Sequence, residues 1–296
     1  MEMTVSLVIP TLDAGQEIQP LLEVLLRQTR PADEIVVVDS SSEDNTVDIV
    51  QSIAERCSSV RGYVINRNDF NHGSTRDKAL REWTTGDIVL FMTQDAVPAN
   101  ERYIESIVRP FSDDRIAAVS GRQLPKTDAR RGEQLVRSFN YPAESFVRGK
   151  DDLPQYGIKT FFTSDVCSAY RRVAYLSCGG FCPTMMSEDM YMAAKLIAAN
   201  YLVAYSADAM VYHSHNLTPV EQYKRNYATG LFLQEHKDIL MGVDEIGEGG
   251  KLVKFVSSHL LQEGRIGELM YFGVDCAARL LGNRAVRAKA RKVMNS

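Results

Sequence analysis

Apolar stretches of strand length alternate with helical repeats through the first third of the chain. Val5 to Ile9 is a β-branched run closed by Pro10, and Glu34 to Asp39 is a second apolar run that ends in a carboxylate. Between them, Ile18 to Gln28 repeats its apolar residues at helical spacing. The alternation predicts a capped helix over Ser41 to Arg56, a strand over Val60 to Ile65, a helix over Ser74 to Trp83 and a strand over Asp87 to Met92. This βαβα order predicts a parallel sheet with helices on both faces. Further along, Met190 to Ala199 has a helical pattern and Tyr201 to Tyr212 is an apolar extended run. Near the end, Ile266, Leu269, Met270, Gly273, Val274, Ala277, Leu280 and Leu281 recur at i, i+3, i+4, i+7 spacing, which predicts an amphipathic helix.

Composition narrows the class. A chain of 296 residues with 45% hydrophobic and 24% charged positions is ordinary globular usage, enough for one large α/β domain or two smaller ones. Cys57, Cys167, Cys178, Cys182 and Cys276 are odd in number and scattered, which disfavours a disulfide framework and suits a reducing cytoplasm. Cys178 and Cys182 have no second pair at matching spacing, so zinc is not expected. The chain enters a strand almost at once, and no run approaches the roughly 20 apolar residues that span a bilayer, so neither a secreted nor an integral membrane protein is expected.

The net charge of −4 hides an asymmetry: no acidic residue follows Asp275, whereas Arg279, Arg284, Arg287, Lys289, Arg291 and Lys292 are all basic. With the amphipathic helix before it, this tail has two readings. The helix packs on its own domain, or it lies on an anionic membrane surface at the inner face of the cell membrane with its basic residues against lipid head groups. Nucleic acid is not expected as a partner, because one basic tail without interleaved aromatics is a weak footprint.

Candidate chemistry gathers at strand ends, where open α/β sheets bind ligands. Asp39, Arg67 and Asp95 all follow strand ends and are expected along one rim. In Asp39-Ser40-Ser41-Ser42-Glu43-Asp44-Asn45-Thr46, helix capping by Ser42 or Asp44 accounts for the hydroxyls, while the Asp39 carboxylate is able to accept an N–H from a pyrimidine base. In Asn71-His72-Gly73-Ser74-Thr75-Arg76, either Gly73 exposes backbone N–H groups to an anion with Arg76 adding charge-assisted bonds to a phosphate, or the two only shape a turn and a solvated face. Glu188 and Asp189 stand at a helix start, as dipole partners or with Asp189 as a general base. His213 and His215 stand at i, i+2, so in an extended segment both face one side, as a metal pair or in a structural role.

Phe70-Asn71-His72-Gly73-Ser74-Thr75-Arg76 and Thr93-Gln94-Asp95-Ala96-Val97-Pro98, in this order of elements, resemble the bacterial rhamnosyltransferase branch of the inverting family 2 glycosyltransferases over roughly Ser6 to Gly230. The resemblance implies an α/β GT-A fold, a mixed and mostly parallel sheet flanked by helices, with a C-terminal helical extension. It implies a nucleotide-sugar-binding half over 1–120, an acceptor-binding and catalytic half over 121–230, and an amphipathic, basic helical region over 231–296. It assigns Pro10 and Thr11 to the nucleotide site, Asp39 with Ser40 to the base, and Arg67, Gly73, Arg76 and Gln94 to the donor, with Arg76 on the diphosphate side. The family's Asp-x-Asp metal motif falls on Thr93-Gln94-Asp95, where Thr93 replaces the first aspartate and leaves Asp95 as the metal-side ligand. Asp189, beside Glu188, matches the catalytic base, and His213 or His215, with His213 favoured, completes the metal site. Gln222-x-x-Arg225-Asn226-Tyr227 is similar to a Gln-x-x-Arg-Trp segment and makes Arg225 a diphosphate contact. Phe161 to Asp165 and Gly179-Gly180-Phe181 resemble the stretch leading to the base, where Asp165 either binds acceptor hydroxyls or holds a turn.

The implied activity is transfer of a sugar, L-rhamnose from dTDP-β-L-rhamnose, onto a lipid-linked saccharide in cell-surface polysaccharide synthesis, with Mn²⁺ or Mg²⁺ and with histidine tilting the choice to Mn²⁺. A homodimer is left open. Three other readings stand beside it: a UDP-sugar-dependent transferase of the same fold, a nucleotidyltransferase, and a non-catalytic nucleotide-sugar-binding module whose carboxylates only cap helices. The nucleotidyltransferase needs a glycine-rich basic loop after the first strand, and Leu12-Asp13-Ala14-Gly15-Gln16 is a poor one.

Overall fold

Four strands, β1 (Val5–Thr11), β2 (Glu34–Asp39), β3 (Val60–Val64) and β4 (Ile88–Met92), form the parallel part of the sheet. β1, β2 and β4 are buried almost throughout, as expected for parallel strands covered on both faces. The computed structural model describes residues 3–240 and 246–294. Beyond the parallel part the chain adds β5 (Val97–Pro98), β6 (Ile116–Leu124), β7 (Phe146–Arg148), β8 (Cys167–Arg171) and β9 (Leu202–Tyr212), giving the order β3-β2-β1-β4-β8-β6-β9-β5 with β7 also on β9. β8 runs antiparallel to both β4 and β6, and β5 and β7 run antiparallel to β9. The parallel arrangement therefore ends at β4, where the strand–helix–strand alternation of the sequence also ends.

Residues 1–123 and 142–213 form one compact unit, and residues 124–141 and 214–296 a second. The first unit's core joins Leu7, Ile9 and Leu90 of the parallel strands to Leu21, Leu22 and Leu25 of the helix Ile18–Leu26 and to Tyr103, Ile107 and Phe111. The register that matters for chemistry is Met92 opposite Cys167, because it sets the chain leaving β4 beside the chain entering β8, with the Thr93 N–H donating to the Val166 carbonyl.

Two helices differ from expectation at their starts. The one predicted from Ser41 begins at Thr46, because Asp39 holds Ser42 in a loop through both its N–H and its hydroxyl, and Ser41 sits at φ 58°. The one predicted from Ser74 begins at His72, since the Asn71 carboxamide accepts the Ser74 N–H and caps the first turn, and it widens into a π-helical turn over Ala79–Trp83.

The second unit is helical: Arg131–Asn140, Pro219–Glu235, Ile246–Gln262 and Ile266–Met294. Leu135, Val136, Val256, Leu260 and Phe272 are its buried core, with Leu269 and Cys276 packed against it. The apolar stripe predicted on the last helix is thereby divided. Leu269 faces the core, while Ile266, Met270, Val274, Leu280 and Leu281 are exposed, Met270 at 67%. The side chains of Arg287, Lys289, Arg291 and Lys292 lie outside the described residues. Among the described residues no helix is long and apolar enough to cross a membrane.

Gly121 is where β6 passes closest to its neighbour: a Cβ there would stand 2.6 Å from the Ala209 carbonyl oxygen. Gly121→Val is expected to destabilise the protein by about 1–3 kcal/mol through overpacking. Urea unfolding checks this, and a midpoint equal to the parent's would show that β6 gives way freely.

Candidate active site

The rim above β1 and β2 is a braced pair of loops. Asp39, 3% exposed, accepts from the Ser42 N–H at 2.8 Å, the Ser42 hydroxyl at 2.5 Å and the Thr11 hydroxyl at 3.1 Å. Ser42 in turn accepts the Asp13 N–H, and Asp13 accepts the Glu43 N–H. Asp44, expected as a helix cap, also accepts the N–H of Gly15. Arg67 is exposed and bridges Asp13 and Glu43 at 3.3 Å each, a surface arrangement worth at most about 1 kcal/mol per pair. Asp39 is thus an organiser of the loop, and it also borders a 380 Å³ cavity with Val37, Val50, Tyr63 and Val64. Pro10 and Thr11 end β1 on the same rim, and Ser40 places a buried hydroxyl there that has no hydrogen-bond partner among the described residues.

Two residues expected to touch the donor are engaged elsewhere. The Gln94 carboxamide accepts the Leu12 N–H at 2.8 Å and donates to the Leu12 carbonyl at 3.1 Å, so it ties the end of β4 to the end of β1. Gly73 does not offer its N–H to an anion, because that group donates to the Thr184 carbonyl. The glycine is required for another reason: a Cβ would lie 1.9 Å from the Cys182 carbonyl oxygen.

Asp95 follows β4 and His213 follows β9, and they meet with Nε2 3.4 Å from Oδ2. Both belong to a group of side chains able to hold a metal ion. His213 is 5% exposed, and its Nδ1 lies 3.0 Å from Gln123 Oε1, while the Gln123 amide nitrogen donates to Ser164 Oγ at 2.9 Å. With the amide nitrogen so occupied, its oxygen faces the ring and accepts the Nδ1 proton. Nε2 then presents a lone pair toward Asp95, the arrangement a metal-binding histidine needs. Thr93 Oγ1 is buried beside them without a partner among the described residues. His215 follows two residues later as an exposed residue of the second unit.

Arg76 was expected at a phosphate, and the structure places it among carboxylates instead. It is 3% exposed, with one guanidinium nitrogen 2.5 Å from Glu188 Oε1 and 3.1 Å from His72 Nδ1. Burial, with Arg76 adding to it, holds the His72 imidazole down to about 4, so it stays neutral beside the guanidinium. Glu188 and Asp189 open the helix Glu188–Ala198 behind Ser187, whose φ of 63° is a left-handed conformation that a serine rarely adopts. Asp189 accepts the Met190 N–H at 2.7 Å and the Asp165 N–H at 3.3 Å. Asp165 accepts from Ser168 Oγ at 2.6 Å and Tyr170 Oη at 2.9 Å, and its other oxygen is buried with no partner among the described residues.

Crowding three carboxylates around one guanidinium separates their proton affinities. Burial pushes Glu188 up to about 8 against the pull of Arg76. Burial, then repulsion from Asp165, pushes Asp189 up to about 6. Burial also raises Asp165. Both shifts are upward, and Asp189 is the less raised and the more open of the two, half-buried where Glu188 is 5% exposed. Paired titratable groups pushed apart in this way mark an acid–base site.

Asp165 joins the acidic cluster through a fold contact that the local sequence does not announce, and Gln123 was missed altogether. Arg225 is exposed on the helix Pro219–Glu235 and lines a polar 230 Å³ cavity of the second unit with Arg137, Asn140 and Thr229.

The profile described as Glycosyl transferase family 2 matches residues 6–178. The chain is 41% identical over 259 residues to the O-antigen chain rhamnosyltransferase RfbN of Salmonella typhimurium, covering 87% of this chain and 81% of that protein. It is 39% identical to the O-antigen chain rhamnosyltransferase WbaN of Salmonella anatum, over 86% of this chain and 79% of that one. Among solved structures it shares its fold with the mannosyltransferase PcManGT of Pyrobaculum calidifontis in complex with GDP-Man and Mn²⁺, with TM-score 0.65 and 17% identity over 96% of this chain and 87% of that one. TarS 1-349 of S. aureus in complex with UDP-GlcNAc gives TM-score 0.56 at 17% identity, over 97% and 92% of the two chains. The mixed sheet and these matches agree, and the chain belongs to glycosyl transferase family 2.

Proposed function

We propose that this glycosyltransferase moves L-rhamnose from dTDP-β-L-rhamnose onto a lipid-linked saccharide in cell-surface polysaccharide synthesis, inverting the anomeric centre in one displacement. The observation that carries the chemistry is the cluster of Asp165, Glu188 and Asp189 around Arg76, on the chain that enters and follows β8 beside the Asp95 end of β4. The printed names of RfbN and WbaN support rhamnose as the sugar and a polysaccharide as its destination.

In this mechanism the ionised Asp189 takes the proton from an acceptor hydroxyl as its oxygen attacks C1. The new C1–O bond forms as the bond from C1 to the diphosphate oxygen breaks, and the nucleoside diphosphate leaves with the electron pair. Glu188 keeps its contact with Arg76, which leaves Asp189 as the open base of the pair. Pro10, Thr11, Asp39 and Ser40 would receive the nucleoside, with the buried Ser40 hydroxyl gaining a partner.

Asp95 and His213 fit a divalent cation, Mn²⁺ or Mg²⁺, because Gln123 fixes the proton on Nδ1 and the pair offers one nitrogen and one carboxylate oxygen. When bound, such an ion neutralises the charge that develops on the departing diphosphate. His215, two residues along, is the alternative nitrogen ligand, and Gln123 favours His213.

The exposed residues Ile266, Met270, Val274 and Leu281 support a further part of this reading, a helix laid on an anionic membrane where a lipid-linked acceptor resides.

Three outcomes are expected. Asp189→Asn lowers kcat by about 10²–10⁴-fold while dTDP binding stays near the parent's, and kcat/KM of the parent falls about tenfold per pH unit below about 6 as Asp189 takes up its proton. Donor binding lost in parallel with turnover would make Asp189 structural. Dialysis against EDTA abolishes nucleotide release from dTDP-rhamnose and added Mn²⁺ restores it, and Gln123→Ala raises the Mn²⁺ needed for half-maximal turnover about 10–100-fold. Turnover indifferent to chelation would remove the metal. Met270→Glu with Val274→Glu weakens sedimentation with phosphatidylglycerol vesicles at least tenfold, and undiminished binding would end the membrane proposal.

A further inference from the structure

A third cavity, of 320 Å³, lies wholly within the second unit, with His215 at its border. Its volume falls in the range of about 300–1,000 Å³ typical of ligand clefts. Val136, Leu217, Tyr271 and Phe272 supply apolar wall, and Arg130 and Gln222 supply polar edges. Tyr271 is held in place, its hydroxyl donating to the Leu217 carbonyl at 3.2 Å and its ring lying under the Arg130 guanidinium at 4.4 Å.

One group in this wall asks for a ligand. Asp275 is 6% exposed, and its Oδ2 accepts from Arg279 Nε at 2.8 Å, but its Oδ1 is buried with no hydrogen-bond partner among the described residues. A buried acceptor left in that state costs about 1–3 kcal/mol, so a ligand that brings a donor to it is stabilised.

The other charges select the kind of donor. Glu133 is paired with Arg137 at 2.7 Å and Glu268 with Arg265 at 2.6 Å, so the wall offers no cluster of unpaired carboxylates for a metal ion. A cation would meet Arg130 and Arg279, and an anion would meet the open oxygen of Asp275. A neutral molecule with hydroxyl donors on one edge and C–H groups on a flat face suits both the carboxylate and the aromatic wall. We infer that this cavity binds a neutral saccharide of the acceptor chain, held by a hydroxyl donating to Asp275 Oδ1 while its ring packs against Tyr271 and Phe272. The inference rests on the transferase reading, since it gives the second unit the task of holding the acceptor away from the site of reaction.

Gly132 and Gly267 both line the cavity, and a Cβ at either would meet no atom within 4 Å, so a side chain can be added at its wall without a clash at the Cβ. The test is saturation-transfer NMR of the full chain with methyl glycosides of rhamnose, mannose and galactose and with their disaccharides. At least one sugar is expected to bind the parent, and Gly267→Phe, Gly132→Phe and Asp275→Asn are each expected to weaken it by about tenfold or more. Titration with dTDP and Mn²⁺ should be the same for all four proteins. Sugar binding that is absent, or unchanged in both glycine variants, overturns the inference. So does a cavity that those variants close to farnesyl phosphate but not to sugars. Failure of the nucleotide titration with sugar binding intact counts against the transferase reading and leaves the cavity assignment standing.

Discussion

The buried contact between Arg76 and Glu188 is the constraint on which the site depends. Three carboxylates within one buried cluster repel, and removing each from water carries a penalty of several kcal/mol. A single guanidinium, 3% exposed, stands among them. Its position is set by the turn before it: Asn71 caps the helix and also accepts the Thr184 N–H, His72 accepts from the guanidinium, and Gly73 lets the Cys182 backbone approach. The segment that carries Asp189 is therefore fastened to the segment that carries Arg76 at three places. Removing the arginine would leave a buried acidic cluster without its cation, a change that typically costs about 3–5 kcal/mol and would release the segment that carries Asp189.

That arrangement explains why Asn71-His72-Gly73-Ser74-Thr75-Arg76 reads as a phosphate loop and behaves otherwise. A glycine beside a helix start with an arginine one turn later has the local chemistry of an anion site. The anion it meets is a side chain of the same protein, more than a hundred residues further along, and sequence spacing carries no record of it. Gln94 misleads in the same way, since a carboxamide next to Asp95 serves the Leu12 backbone equally well.

The parallel strands were legible because they are continuous apolar runs, and β1, β2 and β4 coincide with the predicted stretches within a residue or two. Asp39, Asp95, Asp189 and His213 stand out in the sequence because each ends, follows or begins an element. Less was written about contacts between distant strands. The helix start at Thr46 depends on Asp39 reaching Ser42, and the tautomer of His213 depends on Gln123 and Ser164, none of which follows from hydrophobic period. The last helix shows a related limit. A stripe of period 3.6 names one apolar face, but Leu269 and Phe272 turn to a core while Met270 and Val274 do not, and only packing separates them.

The carboxylates at this helix start differ from ordinary caps. A cap is exposed, accepts an N–H of the first turn and keeps an ordinary proton affinity, whereas Glu188 is 5% exposed and is pushed up to about 8. Ser187, the residue in the capping position, makes no side-chain cap bond and holds a left-handed backbone instead. Asp165 adds a third buried carboxylate that no helix end requires, with Tyr170 and Ser168 aligned on one of its oxygens. Strained backbone, raised proton affinities and buried like charges each destabilise the fold, and they coincide beside the interior strand β8, where Arg76 offsets only part of the repulsion. A protein that only bound a nucleotide sugar would gain nothing from that concentration of unfavourable terms, whereas the general base proposed at Asp189 would draw on it.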